Sequence, residues 1–298
     1  MKKAKKNDSL PYFLVAPALL LLAGFMLYPM VSNLVTSFFR YKLTSKKRPF
    51  VGFENYATVL KDERVWQAMS RTIVWTGVTL VIVIVLGVLM ALLLKTKFPG
   101  SGFLKAFMLI PWILPSVITG YIWQLMLSED AGIITYAMKS LGIVSSDFSW
   151  FVSGSTSMAA AILANSWRAF PFVALMVYAR MSNQPKDLIE AANIDGANRR
   201  QVFWNITIPH IKPVLNSCIL LIFIWTFNAY DILRVMTNGG PAEKTTTMSI
   251  LVYKEAFSFY NISNAATMSV LMFTVMLTII IAVRLVKKVL KVDGDDDE

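Results

Sequence analysis

Long hydrophobic runs alternate with polar segments along this chain. A membrane-spanning helix needs about 20 predominantly apolar residues, so each long run is a candidate span. Six runs meet this requirement, and we expect spans at about 11–39, 72–94, 103–127, 156–178, 214–232 and 265–286. The pattern predicts an all-α integral membrane protein with six transmembrane helices. Its membrane domain covers 11–288, between an N-terminal tail, 1–10, and an acidic C-terminal tail, 289–298.

The first run follows a basic N-terminus, as the apolar core of a secretory signal peptide does. Its length excludes a signal peptide, because such a core covers only about 7–15 residues. We expect an uncleaved first helix that starts on the cytoplasmic side and that Pro17 and Pro29 can kink. Pro111 and Pro115 lie four residues apart in the third run, where they are either tolerated or mark a helix bent around a cavity.

Polar side chains interrupt the fourth and fifth runs. Arg168 lies within the fourth run, and a charged group at that depth is expected to face protein or water. Trp225, Asn228 and Asp231 in the fifth run are spaced to share one helix face. These four residues are candidates for a substrate path. A structural role stays open for each charge, since Arg168 can serve an interface and Asp231 can pair with Arg234.

The composition supports a membrane protein. Hydrophobic residues make up 56% of the chain and charged residues 16%, with a mean hydropathy of +0.56. The net charge of +11 comes from basic residues that flank apolar runs, which indicates membrane orientation and no nucleic-acid partner. The single cysteine, Cys218, excludes a disulfide framework. Neither Cys218 nor the single histidine, His210, has a neighbour in the sequence suited to a metal site.

The chain has no phosphate-binding loop of the GxxxxGK[ST] type and no recognisable set of nucleophile, base and acid. We therefore interpret it as a protein that is not itself an enzyme. Any energy for its work has to come from a partner or from an ion gradient.

The segment 181–212 is the longest polar interruption in the second half of the chain. A short amphipathic helix is predicted from residues at helical spacing, which are Glu190, Ala191, Ala192, Ile194 and Ala197. Gly196 breaks this helix, and a second helical turn is expected through Val202 and Phe203. Small side chains let another protein approach closely, and Glu190 near the first turn suits the helix dipole.

The sequence Glu190-Ala191-Ala192, followed by Gly196 and by Ile206 and Ile208-Pro209, resembles the EAA loop of ABC importer permeases, although Leu is usual before that proline. The resemblance implies a cytoplasmic coupling helix that docks on an ATP-hydrolysing subunit. It assigns the contact to six residues, which are Glu190, Ala191, Ala192, Asp195, Gly196 and Ala197. An ordinary amphipathic connector between two spans is the alternative.

Two further stretches resemble the carbohydrate-uptake branch of that family. One is Thr237-Asn238-Gly239-Gly240-Pro241, followed by Thr245-Thr246-Thr247 and preceded by Tyr230-Asp231 in place of a Phe-Asp pair; its composition predicts a sharp turn. The other is the segment 50–56, of the F-x-G-x-x-N-[YF] type. The resemblance implies the type I ABC importer (MetI-like) permease fold and the first-type subunit of a sugar or oligosaccharide importer. A glycerol-3-phosphate or polyol importer is the alternative within the family.

The same resemblance implies partners and a location. The partners are a second homologous permease, two ATP-binding cassette subunits, an extracytoplasmic substrate-binding protein and membrane lipid. The chain itself would bind no cofactor, and the partner ATPase would use ATP and Mg. We expect a prokaryotic cell membrane protein with both termini in the cytoplasm.

Two other classes of protein stay open on the residues alone. An ion-gradient-driven secondary transporter would be expected to show an internal repeat and several intramembrane carboxylates. No repeat is evident between the two halves, and the second and third runs contain no carboxylate. A membrane-anchored assembly protein would account for the apolar runs but not for the loop.

Overall fold

The computed structural model describes residues 10–96 and 98–289, and the regular structure in these residues is helical. Two isolated β-bridges, Phe39 with Phe50 and Lys42 with Asn261, are the exceptions within this part of the chain. The predicted all-α fold is confirmed. The two predicted tails lie almost entirely outside the described residues.

The helices are numbered in chain order. They are α1 (Leu10–Leu22), α2 (Tyr28–Thr36), α3 (Glu54–Lys61), α4 (Glu63–Lys95), α5 (Ser101–Ile113), α6 (Ser116–Met126), α7 (Ile133–Ser140), α8 (Gly154–Ser182), α9 (Lys186–Ile194), α10 (Arg199–Val202), α11 (Ile208–Phe227), α12 (Asp231–Met236), α13 (Met248–Tyr253) and α14 (Ile262–Val289). Three π-helical turns extend them, at Ala23–Leu27, Phe203–Thr207 and Lys254–Ser258.

Five of these stretches are long and apolar enough to cross a membrane, namely Tyr12–Thr36, Glu63–Lys95, Gly154–Ser182, Arg199–Phe227 and Ile262–Val289. A sixth is obtained if α5 and α6 count as one span, although they meet at an angle of 100°. The single helix expected over 103–127 is thus broken. Pro115 is the reason, because its ring disfavours the helical conformation of the preceding residue, and Leu114 is extended with ψ 133°.

Two of the π-helical turns end two residues before a proline. The N–H of Tyr28 donates to the carbonyl of Ala23, and the N–H of Ile208 donates to that of Phe203. A proline inside a helix has no N–H and crowds the carbonyl four residues before it. Helices α2 and α11 continue past these prolines, so the helical course is kept through Pro29 and Pro209.

The fifth run ends earlier than the hydrophobic pattern predicts. Helix α11 stops at Phe227, Asn228 follows as its C-cap, and α12 starts at Asp231. The Nδ2 of Asn228 donates to the carbonyl of Ile224 at 2.8 Å, and this local bond competes with continuation of the helix. The expectation that Trp225, Asn228 and Asp231 share one helix face is therefore wrong. So is the expectation of a buried Asp231, which is exposed in this chain.

The described residues divide into two compact units. One contains the residues up to Val65 together with Val252–Val275. In it, the Nδ2 of Asn55 donates to the carbonyls of Ser37 at 2.8 Å and Phe39 at 2.9 Å, which explains the asparagine of the 50–56 pattern. Arg64 forms ion pairs with Asp62 at 2.7 Å and with the buried Glu255 at 3.1 Å.

The other unit contains Trp66–Leu251 together with the residues from Met276. Its central helix is α8, whose buried side chains are mostly small, including Ala160, Ala161, Ala164, Ala169, Val173, Ala174 and Val177. Small side chains let neighbouring helices approach closely. Helix α4 does so at Gly87, where an added Cβ would lie 2.6 Å from the Cβ of Val173. The indole N–H of the buried Trp75 donates to the carbonyl of Thr226 at 2.9 Å, which ties α4 to α11.

Candidate functional site

Gly196 ends helix α9 in a Schellman motif. The N–H of Ala197 donates to the carbonyl of Ala192 at 2.9 Å, and the N–H of Gly196 donates to that of Asn193 at 3.2 Å. Gly196 has φ +78°, a left-handed conformation that glycine adopts without the steric cost of a side chain. The predicted break of the helix at this residue is confirmed.

A capping box begins the next helix two residues later. The N–H of Gln201 donates to the Oδ1 of Asn198 at 3.0 Å, and the N–H of Asn198 donates to the Oε1 of Gln201 at 2.8 Å. Helices α9 and α10 are therefore joined by a turn whose two sides are both fixed by hydrogen bonds. The second helical turn expected after Gly196 is present.

One face of α9 is exposed to solvent. Glu190, Ala191, Asp195 and Gly196 are exposed, whereas Ala192 and Ala197 are half-buried. The neighbouring Ile194 is 85% exposed. The face of α9 that carries these residues is therefore accessible to another protein.

Residues that the sequence did not single out fasten the two ends of this loop. The Nε of Arg180, near the end of α8, donates to the carbonyl of His210 at 3.0 Å. The Nε2 of His210, near the start of α11, lies 3.0 Å from the carbonyl of Arg180, to which it donates in the matching tautomer. Lys95 adds a third bond, from its Nζ to the Oε1 of the buried Gln184 at 3.1 Å. The loop is therefore attached to α8, α11 and α4.

A second group of candidate residues lies where two pairs of helices are broken. Helix α6 begins at Ser116, after the break at Pro115, and its Oγ donates to the Oδ2 of Asp231 at 2.8 Å. Asp231 begins α12, after the break at Asn228. The negative charge of Asp231 acts on the half-buried Arg168 of α8, whose Nε has no hydrogen-bond partner among the described residues. The structure thus joins Asp231 to Ser116, which the sequence analysis missed, whereas Arg168 and Asp231 form no ion pair among the described residues.

Aromatic side chains continue this group. Trp225 is 46% exposed and meets Phe172 edge to face, with ring centroids 5.1 Å apart. Phe172 in turn stacks on Trp112 at 5.9 Å. The Nδ2 of Asn228 is directed to its own helix and to the Sδ of Met276 at 3.4 Å, so only its carbonyl oxygen points elsewhere. Proline in the third run was the available signal for this region, since Trp112 and Ser116 flank the break at Pro115.

The predicted turn at Gly239-Gly240-Pro241 is present and tightly bonded. The hydroxyl of Thr245 donates to the carbonyl of Gly240 at 2.7 Å, and the N–H of Thr245 donates to that of Gly239 at 3.1 Å. Three non-glycine residues of the turn have left-handed φ angles, Asn238 at 51°, Ala242 at 45° and Glu243 at 61°. Such angles cost of order 1 kcal/mol each and are kept where the surrounding structure holds them.

Comparison with known proteins gives a consistent result. Residues 83–291 match the family described as binding-protein-dependent transport system inner membrane component. The chain is 32% identical to the trehalose/maltose transport system permease protein MalF of Thermococcus litoralis, over 92% of both chains. It is also 32% identical to the sulfoquinovosyl glycerol transport system permease protein SmoG of Agrobacterium fabrum, over 89% of this chain and 85% of that one.

Among solved structures, a chain of a bacterial ABC transporter involved in the import of the acidic polysaccharide alginate superposes with a TM-score of 0.81 at 20% identity. The match covers 95% of this chain and 96% of that one. At this identity the similarity establishes the fold.

Proposed function

Because this chain belongs to the family of binding-protein-dependent transport system inner membrane components, we propose that the substrate it helps to import is a carbohydrate. The named functions of relatives support this proposal, since one serves trehalose and maltose and another sulfoquinovosyl glycerol. The chain is an integral membrane permease and not an enzyme. An ion-gradient-driven carrier, the other class considered above, does not fit this family.

Helix α9 is proposed to dock on a partner ATPase through Glu190, Ala191, Ala192, Asp195, Gly196 and Ala197. The observation that carries this proposal is the combination of an exposed face on α9 with a turn fixed by hydrogen bonds at Gly196 and Asn198. A loop can transmit a movement of α9 to the membrane helices only if the loop itself is rigid. The bonds between Arg180 and His210 supply that stiffness where the loop joins α8 and α11.

The complete importer is proposed to contain a second homologous permease, two ATP-binding cassette subunits that use ATP and Mg, and an extracytoplasmic substrate-binding protein. Docking of α9 on an ATPase puts the loop 181–212 in the cytoplasm. With six spans, both termini then lie on the cytoplasmic side as well, and the turn at Gly239-Gly240-Pro241 lies outside.

The substrate path is proposed to run past Arg168, Trp225, Asn228 and Asp231. An exposed indole beside hydrogen-bonding groups suits a sugar, which presents both C–H faces and hydroxyls. The charge of Asp231 opposes that of Arg168, whereas a phosphate would be held by several convergent basic groups. A single cation whose charge is opposed by a carboxylate therefore favours a neutral sugar or polyol over glycerol-3-phosphate.

The test begins with purification of the tagged chain, with its partners, from native membranes, followed by reconstitution into vesicles. We compare wild type with Gly196→Val, which forces a β-branched residue into a left-handed conformation at a cost of about 1–2 kcal/mol or more. Gly142→Val is the matched control, because Gly142 has φ +67° and, like Gly196, has no atom within 4 Å of an added Cβ. We expect Gly196→Val to abolish ATP hydrolysis stimulated by the loaded binding protein, and Gly142→Val to retain it.

Two results would contradict the proposal. If the Gly196→Val complex hydrolyses ATP and transports substrate like wild type, α9 is not the coupling element. If the tagged chain is recovered from intact membranes without an ATPase, the proposed partners are wrong.

A further inference from the structure

A groove opens where the N-terminal part of α4 meets the start of α8. It has a volume of about 430 Å³, and its lining includes Ser70, Arg71, Val74, Ser155, Met158 and Lys244. Most of the accessible lining is apolar, and two cationic and two hydroxyl side chains contribute its polar part. The proposed substrate path and helix α9 involve none of these residues.

The two cations of the groove have no carboxylate partner in the part of the chain that the structure describes. The Nη2 of Arg71 donates to the amide oxygen of Gln67 at 3.1 Å, which leaves its charge uncompensated. Among the described residues, neither Arg71 nor Lys244 forms an ion pair with a carboxylate. A site with two unpaired cations and two hydroxyls is suited to an anion with several acceptor oxygens.

Lys244 is held in position by its surroundings. Its N–H donates to the carbonyl of Pro241 at 2.8 Å, in the turn that contains the left-handed residues. Its side-chain stem lies against Gly154, where an added Cβ would come within 2.3 Å of the Lys244 Cβ. The carboxylate of the preceding residue, Glu243, is bonded to the hydroxyl of Thr246. The backbone and the first side-chain carbons of Lys244 are therefore fixed at the groove.

An apolar track leads away from the groove along α4. Val74, Val78, Val81 and Val85 follow each other at helical spacing on one face and are between 42% and 63% exposed. At 1.5 Å per residue the track is about 16 Å long. The hydrocarbon layer of one leaflet is half of about 30 Å. The cations of the groove and the apolar track therefore match the head group and one acyl chain of a single lipid.

We propose that this groove binds an anionic phospholipid, with its phosphate between Arg71 and Lys244 and one acyl chain along the valine track. A lipid phosphate is recognised through charge-assisted hydrogen bonds from cationic side chains, which Arg71 and Lys244 can supply. The track distinguishes a lipid from a free anion, which would need no apolar surface. The inference requires only that the chain spans a membrane and does not depend on the cargo.

The experiment measures lipids retained by the purified transporter complex, by native mass spectrometry after reconstitution in mixed phosphatidylglycerol and phosphatidylcholine. The variants are Arg71→Gln, Lys244→Gln and the double substitution. Lys61→Gln is the matched control, since Lys61 is an exposed cation at the end of α3 and lies outside the groove lining. We expect each groove substitution to lower retained phosphatidylglycerol about fivefold, with phosphatidylcholine unchanged and Lys61→Gln like wild type.

Several results would overturn the proposal. The first is a wild-type complex that retains no phosphatidylglycerol, as expected if a second permease or the binding protein fills the groove. The second is equal retention in wild type and the double variant, or an equal loss in Lys61→Gln. The third is a free-anion site, recognised if inorganic phosphate stabilises the wild type but not the double variant while retention of phosphatidylglycerol stays the same in both.

Discussion

Trp225 is the residue of the proposed path whose role is simplest to isolate. Its indole is about half exposed and touches Phe172 at the edge, so one face stays available to a ligand. Removing an aromatic contact of this kind costs about 1 kcal/mol or more. We expect Trp225→Ala to lower substrate uptake by reconstituted vesicles roughly fivefold, while the complex assembles normally.

Trp66→Ala provides the comparison, because Trp66 is 49% exposed and lies outside the proposed path. Uptake by this variant should equal that of wild type. Loss of assembly in Trp225→Ala with uptake per assembled complex unchanged would show that the residue is structural.

Arg64 supports a second residue-scale prediction, which concerns pH. Its hydrogen bond holds the pKa of Asp62 below the ordinary 3.8, against a smaller opposing effect of burial. Burial raises the pKa of Glu255 above the ordinary 4.5, and the charge of Arg64 offsets only part of this. Asp62 therefore stabilises the fold above its unfolded pKa, and this contribution is lost as the pH falls through its lower folded value.

The contribution of Glu255 to the stability of the fold depends on pH in the opposite direction. Its protonated form is favoured in the fold, so its contribution is best below the ordinary 4.5 and is lost as the pH rises through the higher folded pKa. Glu255→Gln removes this titration. We expect the melting temperature of the variant, relative to wild type, to be higher at pH 8 than at pH 4.5. Glu54→Gln, at an exposed glutamate, is the control, and an identical difference for Glu255→Gln at both pH values would contradict the assignment.

Among the helices, the packing of α4 on α8 depends on one missing side chain. A Cβ at Gly87 would lie 2.6 Å from the side chain of Val173 and 3.2 Å from the backbone nitrogen of Ala174. Overpacking of this kind costs about 1–3 kcal/mol. We expect Gly87→Ala to lower the midpoint of thermal unfolding of the complex in detergent.

Gly77 tests the same substitution on the same helix. An added Cβ there has no atom within 4 Å, and alanine is favoured over glycine in a helix by up to about 1 kcal/mol. Gly77→Ala should therefore melt at or above the wild-type temperature. An equal decrease in both variants would mean that the close approach at Gly87 is not what holds the two helices.

The hydrophobic runs predicted where the membrane helices lie along the chain. They did not predict where those helices break or bend. Pro115 indicated a disturbance in the third run, but its size depends on whether neighbouring helices accept a bend, and here the bend is 100°. Asn228 ends the helix of the fifth run through a hydrogen bond to its own helix. The mean hydropathy of a run does not reveal a single capping residue of this kind. Gly196, by contrast, acts through its backbone alone, so its role was visible in the sequence.

For the molecule as a whole, the fold class could be predicted because the membrane requires long apolar helices whatever their contacts. The family could be predicted from the pattern Glu190-Ala191-Ala192 with Gly196 and Pro209. The joint between Arg180 and His210 could not, since it connects residues thirty positions apart through main-chain carbonyls. Nor could the meeting of Ser116 with Asp231. Such pairs depend on how helices are placed side by side, and one sequence contains no record of that placement.

The wide turn at Phe203–Thr207 also sets the orientation of α9 relative to α11. It contains one residue more than an α-helical turn would, and each residue of an α-helix advances the azimuth by about 100°. Deleting one residue there would swing α9 about a quarter turn around the axis of α11 without changing any residue of its surface. The number of residues in this turn thus determines the direction in which the exposed face of α9 points. Pro209 favours the wide turn over an ordinary α-helical turn.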